Sequence, residues 1–283
     1  QPGVRHSRSL SSNFFVRIGN AAVDQVQHDA YGSVILSAVP MFFDKRLPRP
    51  GGEPLFRLVE KMARRCAALA LEPDAGIWEY RGRKRIHTHS AAMCWAGLSR
   101  AGAIAARLGF SDRAKHWNDL ADTVGGVILE RCWNEKRGAF TAAADTEDMD
   151  ASVLLLPELG LLDSQDPRFA STVTAIEQDL VRGRHVLRYA AEDDFGLPES
   201  EFLVCRFWLI DALCLLGRGE EARARFKDAL ALRNHYGLFA EDIDPRTGTL
   251  WGNFPQTYSM AGLILSAMRL SKSWEERYWH ASS

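Results

Sequence analysis

The stretch Phe202-Leu203-Val204-Cys205-Arg206-Phe207-Trp208-Leu209-Ile210 decides the fold, because it is apolar on nearly every side of a helix. A helix that is apolar all round is expected to be buried all round. Four further stretches have the same character. Together the five predict inner helices at residues 21–43, 88–108, 151–159, 200–216 and 254–270.

Helical patterns of a second kind lie between these stretches, with an apolar stripe on one side and charges on the other. In the last of them, Ala222, Phe226 and Ala229 recur on one face at helical spacing. These patterns predict four outer helices at residues 53–70, 111–132, 166–181 and 218–232. Strict alternation of inner and outer helices indicates two concentric layers of antiparallel hairpins, an all-α barrel.

The connections of this barrel differ in length according to their direction. Those from an inner helix to the next outer helix are mostly short, whereas those from an outer helix to the next inner helix are long. Because the two layers alternate, all the long connections emerge at the same end. Loops beyond roughly 12 to 15 residues in a compact domain are usually functional. We therefore expect the site at the end formed by residues 72–87, 133–150, 182–199 and 233–253.

Composition bounds the class of protein. With 283 residues, 46% of them hydrophobic, the chain is long enough to form one domain over residues 1–283. A net charge of -1 predicts no nucleic-acid or anionic-membrane partner, and no apolar run reaches the roughly 18 to 20 residues of a membrane span. The chain begins at Gln1 without an apolar signal segment, so we expect an N-terminally truncated, cytoplasmic domain of undetermined oligomeric state.

No pattern indicates a metal or a cofactor. His87 and His89 lack a third ligand at metal spacing, so we expect Thr88 or Ser90 to cap a helix there and the imidazoles to pack or bind substrate. The five cysteines are widely spaced without a CxxC pair, which predicts reduced, buried thiols. One acidic cluster is interpreted as solvated loop charges instead of a calcium site: Asp145, Glu147, Asp148 and Asp150.

Two of the long connections carry a carboxylate among apolar residues. Glu79 lies in Gly76-Ile77-Trp78-Glu79-Tyr80-Arg81, and Glu241 ends Gly237-Leu238-Phe239-Ala240-Glu241. We expect Glu79 to lie against apolar surface, where lost solvation favours the protonated form that a catalytic acid needs. Two carboxylates on facing loops are the minimum for cleaving a glycosidic bond. Either glutamate alone is also explained as a solvated charge, and Trp78 as a plug that closes the barrel.

Aromatic and hydrogen-bonding side chains crowd the same connections. Sugar sites combine aromatic faces with fixed polar groups that bind hydroxyls, so we expect His87 and Trp251 to contact a sugar. The full set comprises Trp78, Tyr80, Arg81, His87, His89, Trp133, Arg188, Tyr189, His235, Tyr236 and Trp251.

Several motifs in sequence order resemble glycoside hydrolase family 15, the glucoamylase-like family. They are Gln27-x-Asp29-x-Tyr31-Gly32, Gly76-Ile77-Trp78-Glu79, Asp150-Ala151-Ser152-Val153-Leu154-Leu155-Leu156-Pro157, Arg188-Tyr189 and Gly252-Asn253-Phe254-Pro255-Gln256. The resemblance implies an (α/α)6 toroid that is incomplete here, with about nine of twelve helices and the first three missing. It also implies inverting hydrolysis of an α-linked glucoside or oligosaccharide without a cofactor.

The resemblance also assigns roles by position. The general acid falls on Glu79 and the general base on Glu241, with their carboxyls expected about 6.5 to 9.5 Å apart. Trp78 matches an aromatic residue beside the acid, and Arg188 matches an arginine that holds sugar hydroxyls. Gln27 and Asp29 match residues at the rim of the same pocket. Arg81 is expected to contact the leaving sugar.

Two other functions remain open at this stage. One is an inverting phosphorylase on the same kind of barrel, which needs a basic anion pocket and no base carboxylate. The other is a toroid that binds carbohydrate without cleaving it. The sequence also leaves open whether a hydrolase would act on trehalose, maltooligosaccharides or dextran.

Overall fold

The computed structural model describes residues 25–193 and 196–271, together with the backbone of the strand pair β1 and β2 near the start of the chain. The helices follow one another with short strands between them. They are α1 Asp29–Ala38, α2 Pro40–Phe43, α3 Glu53–Leu69, α4 Thr88–Arg107, α5 Ser111–Arg131, α6 Leu156–Leu159, α7 Pro167–Leu180, α8 Leu203–Leu215, α9 Gly219–Leu230 and α10 Thr257–Ser271.

The strands are two residues long and pair antiparallel. From β3 onward each strand belongs to a long connection between helices. They are β1 Ser7–Arg8, β2 Phe15–Val16, β3 Trp133–Asn134, β4 Ala139–Phe140, β5 Val181–Arg182, β6 His185–Val186, β7 Glu201–Phe202, β8 Asp242–Ile243 and β9 Leu250–Trp251.

Each helical stretch predicted from the sequence contains a helix, and four of the five inner stretches differ from the prediction in boundary or helix type. The first inner helix begins at Asp29 instead of residue 21, and residues 21–24 lie outside the described part of the chain. The segment 151–159 is a 3-10 helix, Ala151–Leu155, followed by the single α-helical turn α6. The fourth inner helix begins at Leu203 because the two preceding residues pair as β7. The fifth inner helix begins at Thr257 instead of residue 254.

Burial divides the predicted inner helices into two groups. α4 and α8 are buried on most sides, as predicted, because α4 packs against α1, α3 and α5 and α8 packs against α9 and α10. The prediction is wrong for α1 and α10, which bury only one side. Val34 on α1 and Ile264 on α10 are each 56% exposed. An all-apolar helix is fully buried only when neighbours cover every face, and the described residues cover these two on one face.

The four long connections lie together at one end of the helices, as the alternation predicts. An antiparallel bridge joins His87 of the first connection to Ala143 of the second, and another joins Asp150 of the second to Tyr189 of the third. In the structure the third connection extends to Phe202, and its strand β7 pairs with β8 of the fourth. Each long connection is therefore hydrogen-bonded to the next one along the chain.

The thiols agree with the sequence-based prediction. Cys66, Cys94, Cys132 and Cys205 are buried and Cys214 is half-buried, and all five are free. Within residues 25–193 and 196–271, no helix combines the length and the hydropathy required to cross a membrane.

Gly32 sets the distance between α1 and α4. A Cβ atom at this position would lie 2.1 Å from the Met93 carbonyl oxygen on α4. Backbone atoms cannot yield as a flexible side chain does, so a side chain here would push the two helices apart.

We expect Gly32→Ala to destabilise the fold by about 1 to 3 kcal/mol, the usual cost of overpacking. Gly126→Ala is the control, since a Cβ on that exposed face of α5 meets nothing within 4 Å. The control should instead gain roughly 0.5 to 1 kcal/mol, because alanine has the higher helix propensity. Urea unfolding of both variants measures this, and equal stabilities would contradict the close approach.

Candidate active site

The acid loop, residues 76–81, is a tight turn fixed by backbone hydrogen bonds. The Glu79 amide donates to the Gly76 carbonyl oxygen at 3.1 Å, and the Tyr80 amide donates to the Ala75 carbonyl oxygen at 2.9 Å. Glu79 has a φ of 57°, the left-handed region that L residues rarely occupy. Its side chain is exposed. The expectation that Glu79 is pressed into apolar surface is therefore wrong, because the left-handed turn directs it outward.

The segment leading into α1 supports this loop from one side. Gln25 Nε2 donates to the Glu79 carbonyl oxygen at 2.8 Å, and Gln27 Nε2 donates to the Gly76 carbonyl oxygen at 3.1 Å. Gln27 thus holds the loop that carries Glu79. Asp29 follows at the start of α1, where burial and the neighbouring Asp74 charge raise its pKa to about 6.

The Trp78 indole lies in an aromatic pocket beneath the acid loop. Its ring centroid is 5.5 Å from that of Phe202, 6.0 Å from that of Trp208 and 6.2 Å from that of Tyr189. The Arg188 guanidinium lies 5.9 Å from the centroid of the indole. The contacts bring the first and third long connections together at the residue next to Glu79. Trp78 therefore joins two loops of the site, whether or not it also closes the barrel.

Asp150 accepts a hydrogen bond from that indole. Trp78 Nε1 donates to Asp150 Oδ2 at 2.7 Å, and Asp150 is only 2% exposed. Burial raises the pKa of Asp150 to about 6, opposed by hydrogen bonds from Ser152 and Trp78. The interpretation of Asp150 as a solvated loop charge is therefore wrong. The apolar run that follows it, 153–156, was the sequence signal for its burial.

The rest of that acidic cluster is paired with cations. Each of the other three carboxylates lies within ion-pair distance of one basic side chain. The pairs are Asp145 with Arg131, Glu147 with Lys136, and Asp148 with Arg85.

Arg188 lies at the junction of the second, third and fourth connections. Its guanidinium is 5.0 Å from the centroid of the Tyr189 ring, and Nη2 is 3.5 Å from Asp193 Oδ2. Asp242 on β8 interacts with it electrostatically. Burial raises the pKa of Asp242 to about 7; Arg188 opposes the shift, and Glu241 and Glu201 add to it. A cation is therefore fixed among aromatic rings and carboxylates, a geometry suited to binding sugar hydroxyls.

Three donors orient the Glu241 carboxylate. Oε2 accepts from the Asn253 amide and from Asn253 Nδ2, both at 3.0 Å, and Oε1 accepts from Gln256 Nε2 at 3.0 Å. Gly252 lies directly beneath, and a Cβ there would be 2.6 Å from Oε2. Asn253 and Gln256 belong to a motif quoted from the sequence, but their contact with Glu241 depends on the fold of the fourth connection.

The contacts link both glutamates to the same end of the molecule. Trp78, next to Glu79, packs on Phe202, and Phe202 is the register partner of Asp242, next to Glu241. Trp251 on β9 is in turn the register partner of Asp242. Arg81 ends the acid loop with an exposed side chain.

His87 and His89 are buried at the start of α4. The Tyr80 ring stacks on the His87 ring with centroids 5.5 Å apart and planes 9° apart. The predicted helix capping is wrong, because Thr88 donates to the Thr141 carbonyl oxygen and Ser90 to Asp74 Oδ2 instead. Among the described residues, no three His, Cys, Asp or Glu side chains are grouped to hold a metal ion.

The chain is similar to known glycoside hydrolases. The model of the glycosyl hydrolases family 15 matches residues 6–268. A trehalase of Thermoplasma acidophilum is 35% identical over 267 residues, covering 93% of this chain and 45% of that protein. A trehalase of Mycobacterium tuberculosis is 36% identical over 264 residues, covering 92% and 38%. The chain thus spans less than half the length of these curated relatives.

Solved structures share the fold at lower identity. A wild-type glycosidase superposes with a TM-score of 0.74 at 18% identity, over 87% of this chain and 67% of that chain. A bacterial glucoamylase complexed with acarbose gives 0.67 at 15% identity, over 87% and 41%. The described helices therefore have the glucoamylase-like αα-toroid architecture predicted from the sequence.

Alanine usually stabilises a fold more than glycine does, and the left-handed backbone of Glu79 predicts the opposite order at this position. Alanine keeps a strain of about 1 to 2 kcal/mol that glycine relieves, so Glu79→Gly should be more stable than Glu79→Ala by roughly 1 kcal/mol. Glu72 is the control, being exposed just before the same loop with a backbone outside the left-handed region. At residue 72 the alanine variant should be the more stable. Urea unfolding of all four variants tests the strain, and the same order at both positions would refute it.

Proposed function

Since this chain belongs to glycosyl hydrolase family 15, we propose that it carries the catalytic site of an inverting α-glucoside hydrolase acting on trehalose. Glu79 is the general acid and Glu241 the general base. The observation that carries the proposal is the pairing of successive long connections, which puts the loops of both carboxylates at one end of the helices.

The two carboxylates have environments that suit these different roles. Glu79 is exposed on a constrained turn, where a sugar oxygen can reach it. Glu241 is fixed by three donors, which set the direction in which its remaining lone pairs point. A general base must hold one water in line with the anomeric carbon, so a fixed orientation favours that role.

The reaction follows from these roles. Glu79 donates its proton to the glycosidic oxygen as the bond from that oxygen to the anomeric carbon breaks. Water attacks the same carbon from the opposite face, and Glu241 takes the proton that the water loses. A separation of about 6.5 to 9.5 Å between the carboxyls leaves space for that water. Arg188, fixed beside Trp78, is positioned to hold the hydroxyls of the bound sugar.

Trehalose is the substrate favoured by the relatives. The curated relatives named above are trehalases, at 35% and 36% identity over more than nine-tenths of this chain. Trehalose presents one glucose for cleavage and another as leaving group.

We expect Glu79→Gln and Glu241→Gln, each in the full-length protein, to lower kcat on trehalose by about 10²- to 10⁴-fold. An amide neither donates the acid's proton nor accepts one from water, and acid–base catalysis contributes about this factor. Initial rates of glucose release measure the effect. The control, Glu72→Gln, removes an exposed carboxylate near the acid loop and should keep the native rate.

The variant Asp242→Asn tests whether Glu241 or the adjacent Asp242 is the base, since the pKa of Asp242 is raised to about 7. If Asp242 were the base, that variant would lose activity while Glu241→Gln kept it, and our assignment would be wrong. Native rates in Glu79→Gln would remove the acid assignment.

The stereochemistry of the products gives an independent test. Inversion at one glucose of α,α-trehalose gives a β-glucose, and the leaving glucose keeps its α configuration. We therefore expect equal amounts of the two anomers in proton NMR spectra recorded before mutarotation. Retention would give α-glucose alone and would overturn the inverting mechanism.

A further inference from the structure

Asp150 is surrounded by hydrogen-bond donors. Oδ2 accepts from Trp78 Nε1 at 2.7 Å, while Oδ1 accepts from the Ser152 amide at 2.8 Å and from Ser152 Oγ at 2.6 Å. A carboxylate supplies acceptors to all three. An asparagine would direct its own amide hydrogens at one of these donors. The site therefore requires an ionised aspartate although the residue is 2% exposed.

The same residue also joins two other parts of the site through its backbone. Asp150 forms an antiparallel bridge with Tyr189, and the Ala151 amide donates to the Arg188 carbonyl oxygen at 2.9 Å. Its side chain holds the acid loop, and its backbone holds the segment that carries Arg188. It is the point at which the first three long connections meet.

The indole is held by ring contacts and by one hydrogen bond. The rings of Tyr189, Phe202 and Trp208 contact Trp78 edge-on or tilted, with interplanar angles of 60°, 65° and 47°. Aromatic pairs of this kind are worth only about 0.5 to 1.5 kcal/mol beyond their area burial. The hydrogen bond to the Asp150 carboxylate adds a directional contact to the polar edge of the indole, and the next residue in the chain is Glu79.

We propose that Asp150 is a positioning residue for the general acid, acting through its hydrogen bond to the Trp78 indole. This inference rests on the proposed function, in which Glu79 protonates the leaving oxygen. Asp150 does not touch the substrate. It fixes the orientation of Trp78 and thereby the position from which the Glu79 carboxyl reaches the glycosidic oxygen.

The positioning role is separable from a structural one. Oδ1 caps the 3-10 helix Ala151–Leu155 through Ser152, whereas Oδ2 serves Trp78. Ser152→Ala removes one bond to Oδ1 and leaves the bond to Trp78. Trp78→Phe removes the donor to Oδ2 and leaves the cap and an aromatic ring in place. The two variants test the two oxygens independently.

The first measurement compares two leaving groups in the full-length protein. Trehalose needs a proton from Glu79, whereas α-glucosyl fluoride loses fluoride with little need of one. We expect Asp150→Asn and Trp78→Phe each to lower kcat on trehalose about 10- to 100-fold, the cost of misplacing a reacting group by about an ångström. On α-glucosyl fluoride the loss should be less than about threefold. Equal losses on both substrates would overturn the proposal.

The second measurement is a double-mutant cycle between the two residues. If Asp150 acts through Trp78, the double variant should lose about as much activity as the more impaired single variant. Losses that multiply would show independent roles and would also overturn the proposal. Ser152→Ala should keep kcat within about threefold, and so should Asp148→Asn, which removes a carboxylate of the same connection that is paired with Arg85. A large loss in Ser152→Ala would assign the effect to the helix cap instead.

Failure of this inference is distinguishable from failure of the proposed function. If Glu79→Gln keeps native activity on trehalose, the acid assignment fails whatever Asp150 does. If Glu79→Gln loses activity on trehalose but Asp150→Asn does not, only the positioning role fails. Should Asp150→Asn not fold, Trp78→Phe alone decides, since it breaks the same bond from the other partner.

Discussion

Backbone pairing between successive long connections holds the candidate site together. The helices bring the ends of these connections to one side, but a loop of such length has many conformations, and ordering it costs about 1 to 2 kcal/mol per residue. Backbone hydrogen bonds between the connections offset part of this entropy cost. They form at the bridges of His87 with Ala143 and of Asp150 with Tyr189, and between β7 and β8. Glu79 and Glu241 therefore depend on residues far from either of them.

Three buried carboxylates lie near the two proposed catalytic residues. Burial raises the pKa of Asp29 and of Asp150 to about 6 and that of Asp242 to about 7. Perturbed groups of this kind cluster at functional sites. Each of the three lies beside a different part of the site. Asp29 follows the segment that supports the acid loop, Asp150 accepts a hydrogen bond from Trp78, and Asp242 interacts electrostatically with Arg188.

The sequence predicted the helices well because each carries its own periodicity of apolar residues. It also predicted that the long connections share one end, which follows from alternation alone. It did not predict which faces stay open, since burial of α1 and α10 depends on neighbours. Nor did it predict that Asp150 is buried, that Thr88 and Ser90 bind other loops, or that Asn253 and Gln256 orient Glu241. These contacts depend on how each connection folds, and only the burial of Asp150 had a local signal, in the apolar run 153–156 that follows it.

The outward faces of α1 and α10 affect how solution experiments on this chain are interpreted. Tyr258, Ile264 and Leu265 are 67%, 56% and 49% exposed along a single helix. Dyes such as ANS fluoresce on apolar surface of this kind and are commonly used as reporters of molten-globule states. In this molecule the folded helices themselves present such a surface. Dye fluorescence alone therefore does not show lost tertiary packing here, and near-ultraviolet circular dichroism is the appropriate criterion of nativeness.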